Sequence, residues 1–429
     1  MTTQCFVVRG ALSPDPPFSA GGGSRLRRVR LVVLAAAAWL CLAGAASARL
    51  DEAPLETRLA RALKEDGVSL TGTGAIALEL ESGALVYEQN GAKALRPAST
   101  EKLTVALTAL DELGPGFRIE TVALGVGGRD GEVWRGDLVL KGYGDPSLHA
   151  DDLARLAARI RALGIRRISG RVLGDESYFD EERTAPGWKA SFYKLECPPL
   201  SALVVDRAWL DGHTADEPVV AAAVAFRRAL GKAGVRVSGK AAEGIAGAGA
   251  VELGRVSSPP LRRLVAWMDT ESDNFVAEML LKLLAAEEVG QGTTAAGAAI
   301  VRRELEGRGV PLAGVRIVDG SGLSRLDRLT ARALAAVLRS GWGDARVSAA
   351  FVGSLAVAGV SGTLEDRMEK APARGRVRAK TGTTNEASAL AGFAGEGYVF
   401  AVVMNGDPVA YSAARDAQDR FATILAKSL

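Results

Sequence analysis

The feature that most constrains the fold is a change in sequence pattern at about residue 117. Before it, a strand hairpin turning at Ser82-Gly83 is followed by apolar residues at helical spacing over residues 98–113. After it, short strand candidates separated by Gly and Asp alternate with one helical stretch over residues 151–163. The residues from 117 to about 208 are therefore predicted to fold as a subdomain of their own.

Further regular elements are expected on both sides of this segment. Residues 240–250 are rich in Gly and Ala and are a poor candidate for regular structure. Helical patterns occur over residues 55–64, 219–232, 258–288, 294–307, 330–338 and 411–427, and strands are predicted over residues 73–80, 84–88, 121–126, 133–140, 171–173, 374–380, 387–394 and 398–403.

A signal for export precedes these elements. A basic cluster at residues 25–30 is followed by an apolar run over residues 31–45 and by Ala46-Ser47-Ala48, the pattern of a secretory signal peptide cleaved after Ala48. The alternative is an uncleaved anchor, because the apolar run is almost long enough to span a bilayer. In either case we expect export to the periplasm or cell envelope. If the leader is cleaved, the mature chain is expected to be soluble or peripherally associated with the membrane.

The mature chain is not expected to form an internal disulfide. Cys5 and Cys41 belong to the leader, so only Cys197 remains after cleavage. Cys197 is followed by two prolines, and we interpret it as a buried, inert thiol rather than a nucleophile. The hydrophobic core must therefore provide the stability.

The scarcity of histidine narrows the possible chemistry. Only His149 and His213 occur, and neither accompanies the Gly-x-Ser-x-Gly elbow of a Ser-His-Asp hydrolase. The sequence has no cluster at zinc-ligand spacing, so neither a metal nor another cofactor is expected. The net charge of +3 comes from 53 basic and 50 acidic residues that are interspersed, which argues against a nucleic-acid partner. Any hydrolysis should use a base other than histidine.

Ser99-Thr100-Glu101-Lys102 offers such a base. Residues three apart lie on one face of a helical turn, so the hydroxyl and the ammonium group are within reach of each other. A second cation nearby would lower the pKa of Lys102, and the neutral amine could then take the serine proton. The pattern is weak alone, because Ser191-Phe192-Tyr193-Lys194 repeats it. We interpret this second copy as chance, since no apolar helix follows it.

Two further short patterns follow along the chain. Ser272-Asp273-Asn274 stands between apolar pairs and could present a hydroxyl and an amide to a cleft, although alone it is better explained as a helix cap. Lys380-Thr381-Gly382-Thr383 stands at the end of a predicted strand. There Gly382 would leave room for a substrate, and Lys380 would supply a positive charge for an anionic substrate terminus.

Together and in this order, the three patterns resemble the signature of active-site serine penicillin-interacting enzymes. The chain is similar to the low-molecular-mass penicillin-binding proteins that act as D-Ala-D-Ala carboxypeptidases and endopeptidases and carry a large insertion between the first two motifs. Ser99 and Ser272 are 173 residues apart, fewer than in members with two inserted domains, whereas the 108 residues from Ser272 to Lys380 look normal. The likeness extends to residues 96–102, 142–148, 319–325 and 359–364.

The resemblance implies an α+β fold of the serine β-lactamase/DD-peptidase type. Such a fold has an antiparallel sheet flanked by helices and an all-helical cluster, and here it would carry one inserted α/β subdomain. The chain would then divide into a signal peptide with a long lead (residues 1–48), a DD-peptidase domain (residues 49–116 and 255–429) and an inserted domain (residues 117–254).

The resemblance also implies a catalytic role for each motif. Ser99 would be the acylated nucleophile and Lys102 its base, while Ser272 and Lys380 would return a proton to the leaving amine. Asn274 would position the backbone amide of the substrate.

Substrate binding would involve the third motif and two outlying residues. The backbone N–H groups of Ser99 and Thr383 would form the oxyanion hole. Thr381, Gly382 and Thr383 would line the bound peptide. Arg325 and Asp145, which lie in family-like stretches, would bind the diamino acid of the stem peptide.

The substrates implied are peptidoglycan stem peptides, and β-lactam antibiotics would be covalent inhibitors. Carboxypeptidase and endopeptidase action both stay open, because each breaks a bond after D-alanine and they differ in the leaving group. A serine β-lactamase is an alternative, but the sequence has no Glu-x-x-Leu-Asn and no Tyr-x-Asn in place of the second motif. A non-catalytic penicillin-sensing or cell-wall-binding module would have lost a motif member or gained a transmembrane relay, and the sequence shows neither.

Overall fold

Two β-sheets and the helices packed on them organise residues 53–429, the part of the chain that the computed structural model describes. The predicted leader, residues 1–48, lies outside this part, so its cleavage stays a prediction. Leu55–Leu429 form one compact unit. No helix among residues 53–429 is both long and apolar enough to cross a membrane.

Groups of strands are separated by helices, and five helices follow one another over residues 261–353. The α-helices are α1 Leu55–Ala62, α2 Lys102–Glu112, α3 Ala150–Ala162, α4 Pro218–Lys232, α5 Leu261–Thr270, α6 Asn274–Val289, α7 Thr294–Gly307, α8 Ala331–Gly343, α9 Ser348–Gly353 and α10 Tyr411–Lys427. The strands are β1 Thr73–Glu79, β2 Leu85–Gln89, β3 Glu120–Asp130, β4 Val133–Gly142, β5 Arg167–Ile168, β6 Val172–Asp175, β7 Trp209–Leu210, β8 His213–Thr214, β9 Arg236–Val237, β10 Ala241–Glu243, β11 Val251–Ser257, β12 Ala356–Val357, β13 Val377–Thr384, β14 Ala387–Ala394 and β15 Tyr398–Asn405. Single 3-10 turns lie at Ala98–Glu101, Ala190–Phe192, Asp206–Ala208 and Gly362–Leu364.

The first sheet is antiparallel and brings together strands from both ends of the described chain. Its order is β12-β13-β14-β15-β1-β2, and β1 pairs with β15 along its whole length. The N-terminal hairpin therefore completes a sheet whose centre is built from the last three strands. Helices α1 and α10 cover one face, and α8 packs on the other, where α2 and α6 extend the same hydrophobic core.

Burial on both faces explains the composition of the central strand. Every residue of β14, with the sequence Ala-Ser-Ala-Leu-Ala-Gly-Phe-Ala, is buried. A short apolar run of this kind is typical of a strand with no solvent face. Helix α6 is buried almost all round in the same way, since every residue from 275 to 286 is buried.

The second sheet takes all of its strands from residues 120–257. Its main order is β10-β6-β4-β3-β11, with β5 and β9 attached beside β4, and it mixes parallel and antiparallel pairs. Helices α3 and α4 pack on it through their own apolar residues, among them Leu156, Ile160, Phe226 and Leu230. This sheet and its helices thus enclose a core separate from the two cores around the first sheet.

Three of the predicted stretches differ from the structure, and short elements such as β11 and α9 were not predicted. The helical stretch over residues 258–288 is two helices, because Ser272 has a φ of +60° and breaks the path between α5 and α6. The strand predicted to end at Lys380 instead continues to Thr384, because every residue of β13 pairs with β14. Residues 241–243 of the Gly/Ala-rich stretch form β10, which pairs with β6.

Replacing Phe421 by Ala should destabilise the protein by about 3–5 kcal/mol. Phe421 on α10 is fully buried, and its ring contacts those of Tyr87 and Phe400 at centroid distances of 5.6 and 6.2 Å. Truncation leaves a cavity between α10 and the sheet. Urea unfolding measures the change in the free energy of unfolding. Ile245→Ala is the control, because this side chain is 72% exposed and its loss should cost less than about 0.5 kcal/mol; an equally small cost for Phe421→Ala would contradict the assigned packing.

Candidate active site

The first motif lies on a tight turn that leads into α2. Residues Ala98–Glu101 form a 3-10 turn, and α2 begins at Lys102. Ala98 has a φ of +47°, an unusual conformation for a residue with a side chain, and such conformations concentrate at functional sites. The turn places the Lys102 Nζ 2.9 Å from the Ser99 Oγ. The expected contact between the two side chains is therefore present, with Ser99 partly exposed and Lys102 fully buried.

The Lys102 amine has two further partners, and both are carbonyl oxygens. It donates to Asn274 Oδ1 at 2.8 Å and to the backbone oxygen of Ser321 at 2.6 Å. A neutral amine has two N–H groups and one lone pair. When the two carbonyls accept the two N–H groups, the lone pair is left for the hydroxyl hydrogen of Ser99. The arrangement can therefore take a proton from Ser99.

Burial, rather than a neighbouring cation, is the main cause of the shifted pKa of Lys102. Burial lowers this pKa to about 8, while the charges of Asp319 and Glu278 act in the opposite direction. We expected a second cation to be the cause of the lowered pKa, whereas burial is the largest cause. The pKa of Lys380 is itself lowered to about 7, first by burial and then by the charge of Lys102, with Asp269 opposing both.

The second motif lies between α5 and α6. Asp273 caps α6 by accepting a hydrogen bond from the backbone N–H of Val276 at 2.9 Å, so the cap explanation holds for this residue. Asn274 is the first residue of α6, and its Nδ2 donates to the backbone oxygen of Glu196 at 3.0 Å. The Ser272 hydroxyl makes no hydrogen bond within residues 53–429 and is partly exposed.

Arg207 also holds the second motif, and sequence reasoning missed it. Its guanidinium pairs with the Asp273 carboxylate and lies over the rings of Trp267 and Phe275, at 4.8 and 5.6 Å from their centroids. Residues 206–208 all have positive φ values. Glycine is the residue that usually marks such a conformation in a sequence, and none of these three is a glycine. Without that signal, the approach of Arg207 to the motif could not be anticipated.

The third motif lies within β13 rather than at its end. Lys380 is fully buried and donates to the backbone oxygen of Thr381 at 2.9 Å. The Thr381 hydroxyl contacts that of Thr363 at 2.9 Å, and Thr363 belongs to a family-like stretch that had no predicted role. Thr383 is exposed and borders a cleft of about 850 Å³ whose other walls include Leu323 and Glu196.

Gly382 serves the packing of β13 against the first motif. A Cβ on Gly382 would lie 2.7 Å from the backbone oxygen of Pro97 and 3.2 Å from the Cβ of Ala98. The missing side chain thus lets the strand lie against the turn that carries Ser99. We expected the space to serve the substrate, whereas these atoms of the protein already occupy it.

Arg325 lies beside the cleft in a cluster of cations. Its guanidinium is 2.9 Å from a Glu386 carboxylate oxygen, and Arg96 and Lys189 reach the same carboxylate at 2.8 and 3.6 Å. Three cations around one anion leave a net positive charge. Arg325 is still 48% exposed, so it remains accessible to an anionic ligand.

Asp145 forms hydrogen bonds with a residue close to it in the sequence. Its Oδ1 accepts hydrogen bonds from the backbone N–H and the hydroxyl of Ser147 at 2.8 and 2.6 Å. Burial raises the pKa of Asp145 to about 6, against the lowering effect of these bonds. Its predicted contact with substrate stays a prediction, because none of its hydrogen bonds reaches a motif residue.

The second Ser-x-x-Lys copy and Cys197 have other surroundings. Lys194 pairs with Asp216 at 2.5 Å, and Ser191 makes no hydrogen bond to it. Cys197 is fully buried, and burial raises the pKa of its thiol, as expected for an inert cysteine. Across residues 53–429, no group of three or more His, Cys, Asp or Glu side chains is placed to hold a metal ion.

A loop with buried carboxylates lies behind the first motif. Asp319 accepts hydrogen bonds from the backbone N–H groups of Gly322 and Ser324 and from the indole of Trp188, each at 2.7 Å. Gly322 has a φ of +80°, and a Cβ there would lie 1.9 Å from the backbone oxygen of Ala98. The loop therefore fits tightly against the turn of Ser99. The sequence of this loop is similar to that of the family, but its contacts are seen only in the structure.

Known proteins are similar to this chain in sequence and in fold. The model of the D-Ala-D-Ala carboxypeptidase 3 (S13) family matches residues 55–218 and 212–428. A D-alanyl-D-alanine carboxypeptidase of Actinomadura sp. (strain R39) is 30% identical over 92% of this chain and 90% of the relative.

Solved structures agree on the fold. The crystal structure of penicillin-binding protein 4 (dacB) from Haemophilus influenzae has a TM-score of 0.76 at 23% identity, and the match covers 87% of this chain and 98% of that one. The same protein complexed with a β-lactam has a TM-score of 0.71 at 22% identity, with the same coverage. The predicted serine β-lactamase/DD-peptidase-like fold is confirmed, and the family match together with the 30% identical relative shows that the chain belongs to the D-Ala-D-Ala carboxypeptidase 3 (S13) family.

Proposed function

We propose that this protein is a serine-type D-Ala-D-Ala carboxypeptidase or endopeptidase that hydrolyses peptidoglycan stem peptides through an acyl-enzyme on Ser99. One observation carries the proposal. The buried Lys102 amine lies 2.9 Å from the Ser99 Oγ, while two carbonyl oxygens take up its N–H groups. A nucleophile with a positioned base, in a family of D-Ala-D-Ala carboxypeptidases, supports acyl transfer.

Acylation follows from these positions. Ser99 Oγ attacks the carbonyl carbon of the penultimate D-alanine, and its proton passes to Lys102. The negative charge that develops on the carbonyl oxygen is stabilised by the backbone N–H groups of Ser99 and Thr383. Collapse of the tetrahedral intermediate breaks the C–N bond and leaves the D-alanyl ester on Ser99.

Release of the leaving group requires a proton on its amine. Ser272 and Lys380 relay to it the proton that Lys102 took from Ser99, which returns Lys102 to its neutral form. The Ser272 hydroxyl is free of protein partners among the described residues, and Lys380, with a pKa of about 7, can hold or give a proton near neutrality. Water then attacks the ester, with Lys102 again taking a proton. Asn274 keeps its place between Lys102 and the Glu196 carbonyl and orients the substrate amide.

Substrate recognition extends from the third motif to the cation cluster. Thr381, Gly382 and Thr383 provide the edge along which the peptide lies. The positive patch around Glu386 suits a carboxylate of the stem peptide, and the exposed Arg325 is the member that reaches it. Asp145 would contact the amine of the same diamino acid.

The proposal includes an inserted domain over residues 117–254. It is supported by the second sheet, whose strands all come from residues 120–257, and by the separate core under α3 and α4. Export to the periplasm or cell envelope fits a substrate in the cell wall, and the membrane contact would be peripheral. β-Lactams would acylate Ser99, as the β-lactam complex of the structural relative suggests.

Digestion of purified peptidoglycan distinguishes the two possible leaving groups. Free D-alanine among the products identifies carboxypeptidase action. Uncrosslinked muropeptides identify endopeptidase action. Fast hydrolysis of the β-lactam itself, without turnover of a D-Ala-D-Ala peptide, would instead point to a β-lactamase and overturn the proposal.

Ser99→Ala should abolish covalent labelling by a fluorescent penicillin and turnover of a D-Ala-D-Ala peptide. The variant removes the only hydroxyl that contacts Lys102 in the described residues. Ser191→Ala is the matched control, because it changes the same pattern at a place where the lysine pairs with Asp216. It should label like the parent. Labelling that survives in Ser99→Ala would refute the assigned nucleophile.

Lys380→Ala should slow acylation and move the acid limb of the acylation rate profile to higher pH. The neutral form of Lys102 reacts, so the rate falls as the pH drops through its pKa of about 8. Lys380 carries its charge at and below its own pKa of about 7, where this charge disfavours protonation of Lys102, so removing it raises the pKa of Lys102 in the lower part of the limb. Because burial is the larger cause of the low pKa of Lys102, the displacement should be smaller than the loss of rate. Lys380→His should retain part of both effects. Acylation rates measured against pH would contradict the role if Lys380→Ala matched the parent.

Arg325→Ala should lower kcat/KM roughly tenfold or more for stem peptides whose diamino acid carries a side-chain carboxylate. Peptides with lysine at that place lack this carboxylate and should be affected less. Arg155→Ala is the control, because Arg155 is an exposed arginine on α3 whose one ion pair within residues 53–429 is with Asp152. An equal loss on both kinds of peptide would argue against this contact.

A further inference from the structure

We infer that Glu278 is a positioning residue for the Lys102 amine, acting through the backbone of residues 320–322. The inference rests on the proposed function, in which Lys102 takes the proton of Ser99. It concerns a residue outside all three motifs.

Helix α6 positions both carbonyl groups that accept hydrogen bonds from the Lys102 amine. Asn274 and Glu278 lie one turn apart on this helix, and Asn274 Oδ1 accepts from Lys102 directly. Glu278 is fully buried, and its Oε1 accepts the backbone N–H groups of Gly320 and Ser321 at 3.0 and 2.7 Å. The carbonyl of Ser321 then accepts from Lys102 at 2.6 Å. One helix therefore places one acceptor directly and the other through a loop.

Two carboxylates hold the backbone on the two sides of the Ser321 carbonyl, with Glu278 on the N–H groups before it and Asp319 on the N–H group after it, so loss of Glu278 frees one side. The backbone N–H of Gly322, in the same peptide unit as the Ser321 carbonyl, donates to Asp319 at 2.7 Å. Gly322 also lies so close to the backbone oxygen of Ala98 that a Cβ would be 1.9 Å from it. The Ser321 carbonyl is thus fixed between the carboxylate of Glu278 and the turn that carries Ser99.

The orientation of the amine decides the direction of proton transfer. With Asn274 and Ser321 accepting both N–H groups of neutral Lys102, the lone pair faces the Ser99 hydroxyl. If the Ser321 carbonyl moves away, the amine can rotate and donate an N–H to Ser99 Oγ. A serine that accepts from the amine cannot at the same time give its proton to it. Glu278 therefore supports the chemical step rather than substrate binding.

A charge effect is the competing explanation, and it predicts a different result. The ionisable groups facing Glu278 are Asp319, Glu101, Lys102 and the thiol of Cys197. Burial, then the charge of Asp319, raises the pKa of Glu278 to about 8. An ionised Glu278 would raise the pKa of Lys102, so its removal would move the acid limb of acylation to lower pH. Loss of positioning would instead lower the rate at the high-pH plateau.

The test measures penicillin acylation rates against pH for the full chain with Glu278→Leu and Glu278→Gln. Leu lacks an acceptor and should lower the plateau on the order of 10- to 100-fold, the cost of small misplacements of reacting groups. Gln keeps a carbonyl oxygen for the two N–H groups and should retain most of the rate. Glu278→Asp withdraws the acceptor by one methylene, so it should lose rate as well and serves if the Leu variant does not fold.

Lys282→Met is the matched control on the same helix. Lys282 is fully buried and pairs with Asp180, away from the 320–322 backbone, so its loss should destabilise the protein without changing the profile of the folded molecules. A plateau unchanged in Glu278→Leu and Glu278→Asp, a displaced acid limb with an intact plateau, or Gln as slow as Leu would each overturn the inference. A parent enzyme that is not acylated would refute the proposed function instead.

Discussion

The contact on which the site depends is the one between the buried Lys102 amine and its three oxygen partners. Burying a charged lysine costs free energy unless its N–H groups are hydrogen-bonded or the amine loses its proton. Lys102 has hydrogen-bond partners, and its pKa is lowered, so both effects reduce this cost. Burial lowers its pKa to about 8, and Asn274 and Ser321 accept its hydrogens. The remaining direction points at Ser99. The buried position that lowers the pKa of the amine therefore also directs it toward the Ser99 hydroxyl.

Satisfying this amine requires elements that are distant in sequence to meet at one point. The 3-10 turn before α2 brings Ser99, the first residue of α6 brings Asn274, and the loop at residues 319–324 brings a carbonyl. Strand β13 can lie against that turn only because residue 382 has no side chain. The second lysine, Lys380, is then buried within the electrostatic reach of the first, and each disfavours a charge on the other. Close packing thus couples two lysine side chains that share no hydrogen bond.

Sequence reasoning reached the three motifs and the kind of fold because these leave local signals. A serine and a lysine three apart on a helical turn face the same side, and alternating apolar patterns indicate strands and helices. It placed the end of β13 wrongly, because the pairing of Thr381–Thr384 with β14 is a long-range property. It could not find Arg207 or Glu278, whose partners lie 66 and 42 residues away along the chain. A buried carboxylate that binds backbone N–H groups has no sequence pattern of its own.

Residues that precede α4 in the chain contact the candidate active site directly. Glu196 accepts from Asn274, Arg207 pairs with the Asp273 that caps α6, and Trp188 donates to Asp319 at 2.7 Å. All three belong to residues 117–254, the proposed inserted domain. They contact the second motif and the carboxylate loop, but not Ser99 or Lys102 directly. The start of α6 is consequently held from two sides, by the core beneath it and by the insertion above it. A chain that lost this segment would keep every motif residue and still leave Asn274, one of the two acceptors of the Lys102 amine, without its support.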